Sequence, residues 1–376
     1  MQYVKRVDVF IMKIMKIKTI TFHYAHNYGA VLQAYALQNT LLSLGHENKI
    51  IDYKQKKMHV FVKYGWKSNN NIITATIINI LVLVRYREHK MRFYKFEDFI
   101  NNYLILTKHY KSYEELKLNP PDADVYLVGS DQVWNIYQEK IRSEVSFLKF
   151  GDENIKRMSY AASMGTCDLS VEQKKLFGNL ITNMDKISVR EKEACDFIMN
   201  NYGIKSEVHL DPVFLLKKDQ WAGLAIEPSF RNKYILCYPL SFTPLLNETI
   251  KKIKGLTGYE VIVLTANIRE KVIGDIYIRN AGPRELLGLI KDAQIVLTSS
   301  FHGLAFSIIF EKNFYVFPLV FQSRINNILD LLELSEQQVS TLENVNLKSI
   351  NYEKTNTILS GEISKSIDYL QRLKEE

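Results

Sequence analysis

The stretch KIKTITFHYAHNYGAVLQAYALQNTLLSLGHENKIIDY, residues 16–53, decides the fold class. Its opening, KIKTITF (16–22), is β-rich and runs into the polar turn HYAHNYG. Ala30, Ala34, Leu37, Leu41 and Leu44 then step by four and three residues, the spacing of a helix that lays one face on a sheet. Gly45 stops that helix, and NKIIDY (48–53) reads as a second strand. Strand, helix and strand in this order imply a parallel sheet with a right-handed crossover.

The same rhythm returns after Pro120 and Pro121. Strand 125–128 leads into GSDQVWN, strand 158–161 into SMG, and then come helix 170–183, strand 186–189, helix 190–202 and strand 207–210. DPVFLLKKDQW (211–221) reads as linker, and strand 234–238 opens a second series with strands 260–265, 294–298 and 314–317. Helices are expected there at 283–292, 301–311 and 324–334, with a last helical pattern at 359–375. The expected architecture is α/β, two doubly wound Rossmann-like lobes with a cleft between them and ligands at the carboxyl ends of strands. Its expected parts are an extension (1–15), an N-terminal lobe (16–210) with an irregular helical insertion (55–120), a linker (211–232), a C-terminal lobe (233–345) and a helical segment (346–376).

Composition narrows the classes. Of 376 residues 47% are hydrophobic, with 22 Tyr, 19 Phe and only 16 Gly and 8 Pro, which excludes a disordered or collagen-like chain. Cys167, Cys195 and Cys237 have no CxxC spacing, so neither a disulfide framework nor a zinc ribbon is supported and a reducing, cytoplasmic setting fits. The formal net charge is +8, a balance suited to nucleic acid, an anionic membrane face, or phosphorylated and carboxylated substrates. Without a zinc finger, RRM or helix-turn-helix pattern, no nucleic-acid partner is expected. The N-terminus is broken by Lys13, Lys16 and Lys18 and makes a poor signal peptide. The longest apolar run, IITATIINILVLV (72–84), has 13 residues, short of the ~20 that span a bilayer. Arg85, Arg87, Lys90, Arg92 and Lys95 follow it, interleaved with Tyr86, Phe93 and Tyr94. That reads either as a core helix followed by a solvated one or as an interfacial helix at the inner face of the membrane.

Five motifs fall just after strands. In HYAHNYGA (23–30), Asn27, Tyr28 and Gly29 open a helix whose N–H groups can face an anion; the plainer reading is a polar turn with Gly29 relieving a tight backbone. No GxGxxG or GxxxxGK[ST] is present, so a dinucleotide site and a P-loop are disfavoured. GSDQVWN (129–135) places Ser130, Asp131, Gln132, Trp134 and Asn135 at the end of a buried strand. Turn chemistry explains part of it, while Trp beside Gln suggests a contact surface. In SYAASMG (159–165), Ser163 sits among small residues where a backbone can come close. Arg190 in SVRE follows a strand at a helix start, where a cation is unfavourable unless an anionic ligand or Glu191 or Glu193 offsets it. TSSFHGLAFSIIF (298–310) is the sharpest, with Ser299, Ser300, His302 and Gly303 between a strand and an apolar helix. A helix N-terminus favours the neutral imidazole, which suits proton transfer near neutrality. No HExxH or paired spacing supports a metal.

HNYGAVLQAYAL, DVYLVGSDQVWN, SYAASMG, ISVRE, LDPVFLL, AGPRELLGLIKDAQIVLTSSFHGLAFSIIF and SRINNIL, in this order over about residues 16–335, resemble the polysaccharide pyruvyl transferase family. The resemblance implies a glycosyltransferase-B-like fold and transfer of pyruvate from phosphoenolpyruvate onto a sugar as a ketal, without a cofactor or metal. It implies His302 as the acid/base, Arg190 and Arg324 on the anionic groups, and a lipid-linked or nucleotide-linked glycan as acceptor in surface-polysaccharide assembly. One departure stands out: Ser300 lies two positions before the histidine, where the better-known members carry arginine. The donor contact is then either absent or supplied by Arg324 or Arg284. The rival readings are a nucleotide-sugar glycosyltransferase on the same fold and a non-catalytic glycan-binding protein.

Overall fold

The computed structural model describes residues 14–53, 85–136, 143–267, 271–317 and 323–374. Most of the expected extension (1–15) and the whole apolar run 72–84 lie outside the described residues. Two five-stranded, all-parallel sheets form the frame. In the first, β1 (Lys16–Ile20), β2 (Glu47–Tyr53), β3 (Leu106–Tyr110), β4 (Val125–Val128) and β5 (Lys156–Ser159) lie in the order β3-β2-β1-β4-β5. β6 (Ser188–Val189) and β7 (Glu207–Val208) extend it beyond β5 through the Met158–Lys186 and Ala162–Val189 bridges. In the second sheet, β8 (Tyr234–Tyr238), β9 (Glu260–Leu264), β10 (Ile276–Ile278), β11 (Ile295–Thr298) and β12 (Asn313–Val316) lie in the order β10-β9-β8-β11-β12. Both are doubly wound, as expected, so the chain is α/β with two Rossmann-like lobes. The strands read from the sequence are buried on both sides, β4, β8 and β11 without a single exposed residue, because helices cover both faces of a parallel sheet.

Three features differ from the sequence reading. The stretch expected as an irregular helical insertion supplies β3, an edge strand of the first sheet. The expected linker carries packed structure of its own: Pro212–Leu215 forms a 3-10 turn capped by Asp211, and the Trp221 indole is fully buried and donates to the Val213 carbonyl (3.0 Å). The last helix, Tyr352–Gln371, returns to the first lobe. Tyr352 donates to the Lys312 carbonyl (2.5 Å) at one end, and Tyr369 donates to the Ser159 carbonyl (2.8 Å) near the other.

One hydrophobic cluster crosses between the lobes, joining Tyr28, Val31 and Leu32 of the first to Leu286, Leu287 and Phe306 of the second. Tyr28 also donates across it to the Ala281 carbonyl (2.9 Å), and Lys95 pairs with Glu285 (2.5 Å). Among the described residues no helix is long and apolar enough to cross a membrane.

Candidate active site

In each sheet the strand order reverses at one place, between β1 and β4 and between β8 and β11. That is where ligands bind in open α/β sheets. The helix Tyr28–Ser43 leaves β1 and the helix Phe301–Ile309 leaves β11, and their first turns meet. Asn27 caps the first, accepting from the N–H groups of Gly29 (2.9 Å) and Ala30 (3.4 Å). Ser300 caps the second through the Gly303 N–H (3.3 Å). Gly29 lies so close to His302 that a Cβ there would fall 1.9 Å from Nδ1. Gly303 is held similarly, since its Cβ would meet Thr298 Oγ1 at 2.4 Å.

Strands β4, β6 and β7 deliver the rest. Asp211 follows β7, is almost fully buried, and joins four groups. Its Oδ2 pairs with the Arg190 guanidinium, accepts from Ser130 Oγ (3.1 Å) and faces His302 Nε2 (3.6 Å). Its Oδ1 accepts the Val213 N–H (3.1 Å). Burial opposes ionisation, yet contact with His302, the Arg190 guanidinium and the Val213 N–H holds its carboxyl well below the usual carboxylate range. Arg190 stays firmly charged despite its burial, held by Asp211 and Glu191. It lies one residue before Glu191, the N-cap of the helix Lys192–Tyr202, and the carboxylates of Asp211 and Glu191 offset the cation at that helix start. The ion pair with Glu191 (3.5 Å) exists, but it is buried rather than on the surface. The guanidinium also stacks on the Phe301 ring, 4.8 Å from its centroid. Arg190 Nη2 and Glu191 Oε2 remain buried without a hydrogen-bond partner.

Arg324 reaches the same place from the second lobe. With the Gln132 amide turned so that its oxygen faces the guanidinium, that oxygen accepts from Nη1 (3.2 Å) and Nη2 (2.7 Å). Burial and the nearby Arg190 charge weaken the hold of Arg324 on its proton. Two converging cations favour an anion between them. A cavity of about 320 Å³ opens here, lined by Asn27, Asp131, Gln132, Ser300, His302 and Arg324 among others. Asp131 holds a left-handed backbone (φ 73°) at this rim, a strained conformation of the kind that clusters at working sites. Arg284 does not join the cavity lining; its Nε donates to the Leu224 carbonyl (2.8 Å).

The remaining residues singled out in the sequence do structural work. Trp134 is a core residue, not a contact surface: its ring stacks on Phe147 (5.1 Å) and its Nε1 donates to the Ser146 carbonyl (3.0 Å). Asn135 lies against the Gln132 amide on the side away from Arg324 (2.9 Å). Ser163 is buried and accepts the Gly165 N–H (3.2 Å), and Ser299 accepts the Leu240 N–H (2.9 Å). Tyr28 spends its hydroxyl on the lobe contact. Sequence reasoning missed Asp211, whose Asp-Pro pair looks like turn chemistry, and Arg92, which turns inward. Among the described residues no group of three or more His, Cys, Asp or Glu is arranged to hold a metal.

A family model described as polysaccharide pyruvyl transferase matches residues 27–319. No curated protein matches the sequence. Solved structures with a similar layout include UDP-GlcNAc 2-epimerase from Neisseria meningitidis, 12% identical over 93% of this chain and 100% of that one, with a TM-score of 0.45. A glycosyltransferase from Streptomyces nogalater is 10% identical over 96% and 99%, with a TM-score of 0.43. An alpha-glucosyltransferase in complex with UDP is 10% identical over 95% of each chain, with a TM-score of 0.48.

Proposed function

The chain belongs to the polysaccharide pyruvyl transferase family, and from that premise we propose that it transfers pyruvate from phosphoenolpyruvate to a hexose of a surface-polysaccharide precursor, closing a ketal on two hydroxyls. The observation that carries the proposal is the buried Asp211–His302 pair (3.6 Å) opening, with Arg324 and beside Arg190, on one cavity. The donor brings a carboxylate and a phosphate, and Arg190 and Arg324 are the two cations that meet them. Arg324 then fills the role of the arginine that Ser300 replaces.

In the reaction, C3 of the enol takes a proton and becomes a methyl group while a sugar hydroxyl bonds to C2. A second hydroxyl then displaces phosphate, and the two hydroxyl protons go to the general base and to the departing phosphate. With Nε2 of His302 turned to Asp211, Nδ1 is the nitrogen left to give and take these protons. Asp211 keeps the ring oriented and stabilises the imidazolium, the part a buried carboxylate plays beside a catalytic histidine. Arg190 and Arg324 stabilise the charge that develops on the departing phosphate.

The acceptor in this reading is a glycan precursor held on a lipid or a nucleotide, met in the cytoplasm or at the inner face of the membrane. Phosphate release from phosphoenolpyruvate, measured against a panel of lipid-linked and nucleotide-linked sugars, tests it. Release that depends on one acceptor is expected. Tight binding of nucleotide sugars with no consumption of phosphoenolpyruvate under any condition would overturn it in favour of a glycosyltransferase.

A further inference from the structure

A second cavity, about 370 Å³, lies at the carboxyl edge of the second sheet, within the range of about 300–1,000 Å³ usual for small-molecule sites. Pro239 to Phe242 follow β8 and Thr265 to Asn267 follow β9 along its wall. It shares Asn27, Tyr238 and Leu240 with the cavity that holds His302, so the two adjoin along those residues. Its charged wall is one-sided. Arg92 lines it, and no carboxylate does. The guanidinium is fixed by stacking on Phe96 (4.5 Å) and Tyr28 (5.2 Å) and by one bond from Nη2 to the His26 carbonyl (2.8 Å). Arg92 Nε and Ser241 Oγ, both on this wall, are buried with no hydrogen-bond partner. Just past Ser241 and Phe242, the helix Pro244–Thr257 begins, and its N-terminal end adds positive potential.

We propose that this second cavity takes the diphosphate of a glycosyl diphosphate, against Arg92 and Ser241, with the hexose reaching past Asn27 and Leu240 toward His302. The inference deepens the pyruvyltransferase reading and rests on it for the hexose being the acceptor. A carbohydrate alone does not call for a pre-positioned arginine with an unpaired N–H. A phosphate does, because a fixed planar fork suits it. The diphosphate can come from a nucleotide or a polyprenyl carrier, and the carrier lies beyond the cavity in either case.

Calorimetry on the full chain tests the assignment with inorganic pyrophosphate, UDP-glucose, glucosyl farnesyl diphosphate and methyl glucoside. At least one glycosyl diphosphate is expected to bind at least about tenfold tighter than methyl glucoside, a difference of about 1.4 kcal/mol. Arg92→Gln should remove that gain, Arg92→Lys should restore part of it, and Ser241→Ala should weaken binding about two- to tenfold. Arg190→Lys should leave it unchanged. The preferred probe tells nucleotide from lipid carrier. Equal affinities in wild type, Arg92→Gln and Ser241→Ala would overturn the proposal, as would loss of pyrophosphate binding in Arg190→Lys or no binding of any diphosphate. Phosphoenolpyruvate binding is measured in parallel. Its absence in wild type alongside Arg92-dependent diphosphate binding would sink the pyruvyl reading and leave the cavity assignment standing, while the reverse pattern would sink the cavity alone. Intact phosphoenolpyruvate binding in Arg92→Gln shows that the variant is folded.

Discussion

Gly29 sits against the imidazole of His302, one at the start of the helix leaving β1 and the other at the start of the helix leaving β11, with room between them for no Cβ. The first turn of one lobe is thereby the wall of the ring in the other. Gly29→Ala separates helix stability from site geometry. Alanine favours a helix by about 1 kcal/mol over glycine, so the helix itself gains. The methyl, 1.9 Å from Nδ1, must push the ring or the helix aside. Turnover should fall about a hundredfold, as misplacement on the ångström scale does, with the melting temperature nearly unchanged. Wild-type turnover in Gly29→Ala would show that the contact does not matter to the chemistry.

His302 and Asp211 should fail differently. His302→Gln removes the proton carrier and should lower turnover by about 10²–10⁴ with little effect on folding. Asp211→Asn removes the partner of a buried Arg190 and should cost about 3–5 kcal/mol of stability besides activity. Denaturant unfolding of both variants checks this, and equal stability losses would mean that Asp211 is not the electrostatic centre of the site.

Arg190 is a test of geometry against charge. Arg190→Lys keeps the charge but loses the fork and the flat stack on Phe301, so phosphoenolpyruvate affinity should drop, and further in Arg190→Ala. Calorimetric affinities that are the same in all three proteins would reduce Arg190 to a structural ion pair.

Two residues before Asp211, His209 is buried beside Ser188 (2.9 Å) and Tyr369 (4.5 Å). Burial, with Arg372 and Lys186 nearby, pushes its pKa down to about 4. The unfolded chain takes up this proton near the ordinary value of 6.5 and the folded chain resists it. Stability therefore falls as pH drops from 6.5 toward 4 and flattens below, by about 3 kcal/mol in all. The Asp211 contribution is lost only at lower pH, since its unfolded value is 3.8. Urea midpoints at pH 7.5, 6 and 5 should slope in wild type and lie flatter in His209→Gln; parallel slopes would assign the acid sensitivity elsewhere.

What the sequence revealed tracks burial. β4, β8 and β11 are short, mostly apolar runs with turn residues behind them, because both their faces are covered. β3 (LTKHY) and β10 (IYI) escaped notice because each pairs on one side only and alternates little. His302 and Arg190 stood out in the sequence as polar residues just after a strand, while Arg324 came only with the family resemblance. Asp211 did not stand out, since its meaning comes from β7 lying next to β6, a pairing no local pattern announces. Trp134 misled for the opposite reason: a strand end that turns inward fills the core rather than the cleft.

Only some of the basic residues between 85 and 95 are free to meet a membrane. On the helix Tyr86–Tyr103, Arg92 is committed to the cleft and Lys95 to Glu285. Arg85 pairs with Glu88 (3.3 Å). Tyr86, Met91 and Tyr94 are exposed, with Arg87 and Lys90 exposed among them. Aromatic and apolar area beside cations is what an anionic headgroup layer favours, and a lipid-linked acceptor would make the contact useful. Arg87→Glu together with Lys90→Glu should weaken co-sedimentation with phosphatidylglycerol vesicles without altering the cleft, and raised salt should do the same to wild type. If wild type stays in solution at low salt, this face is simply solvated and the core-helix reading of the region stands.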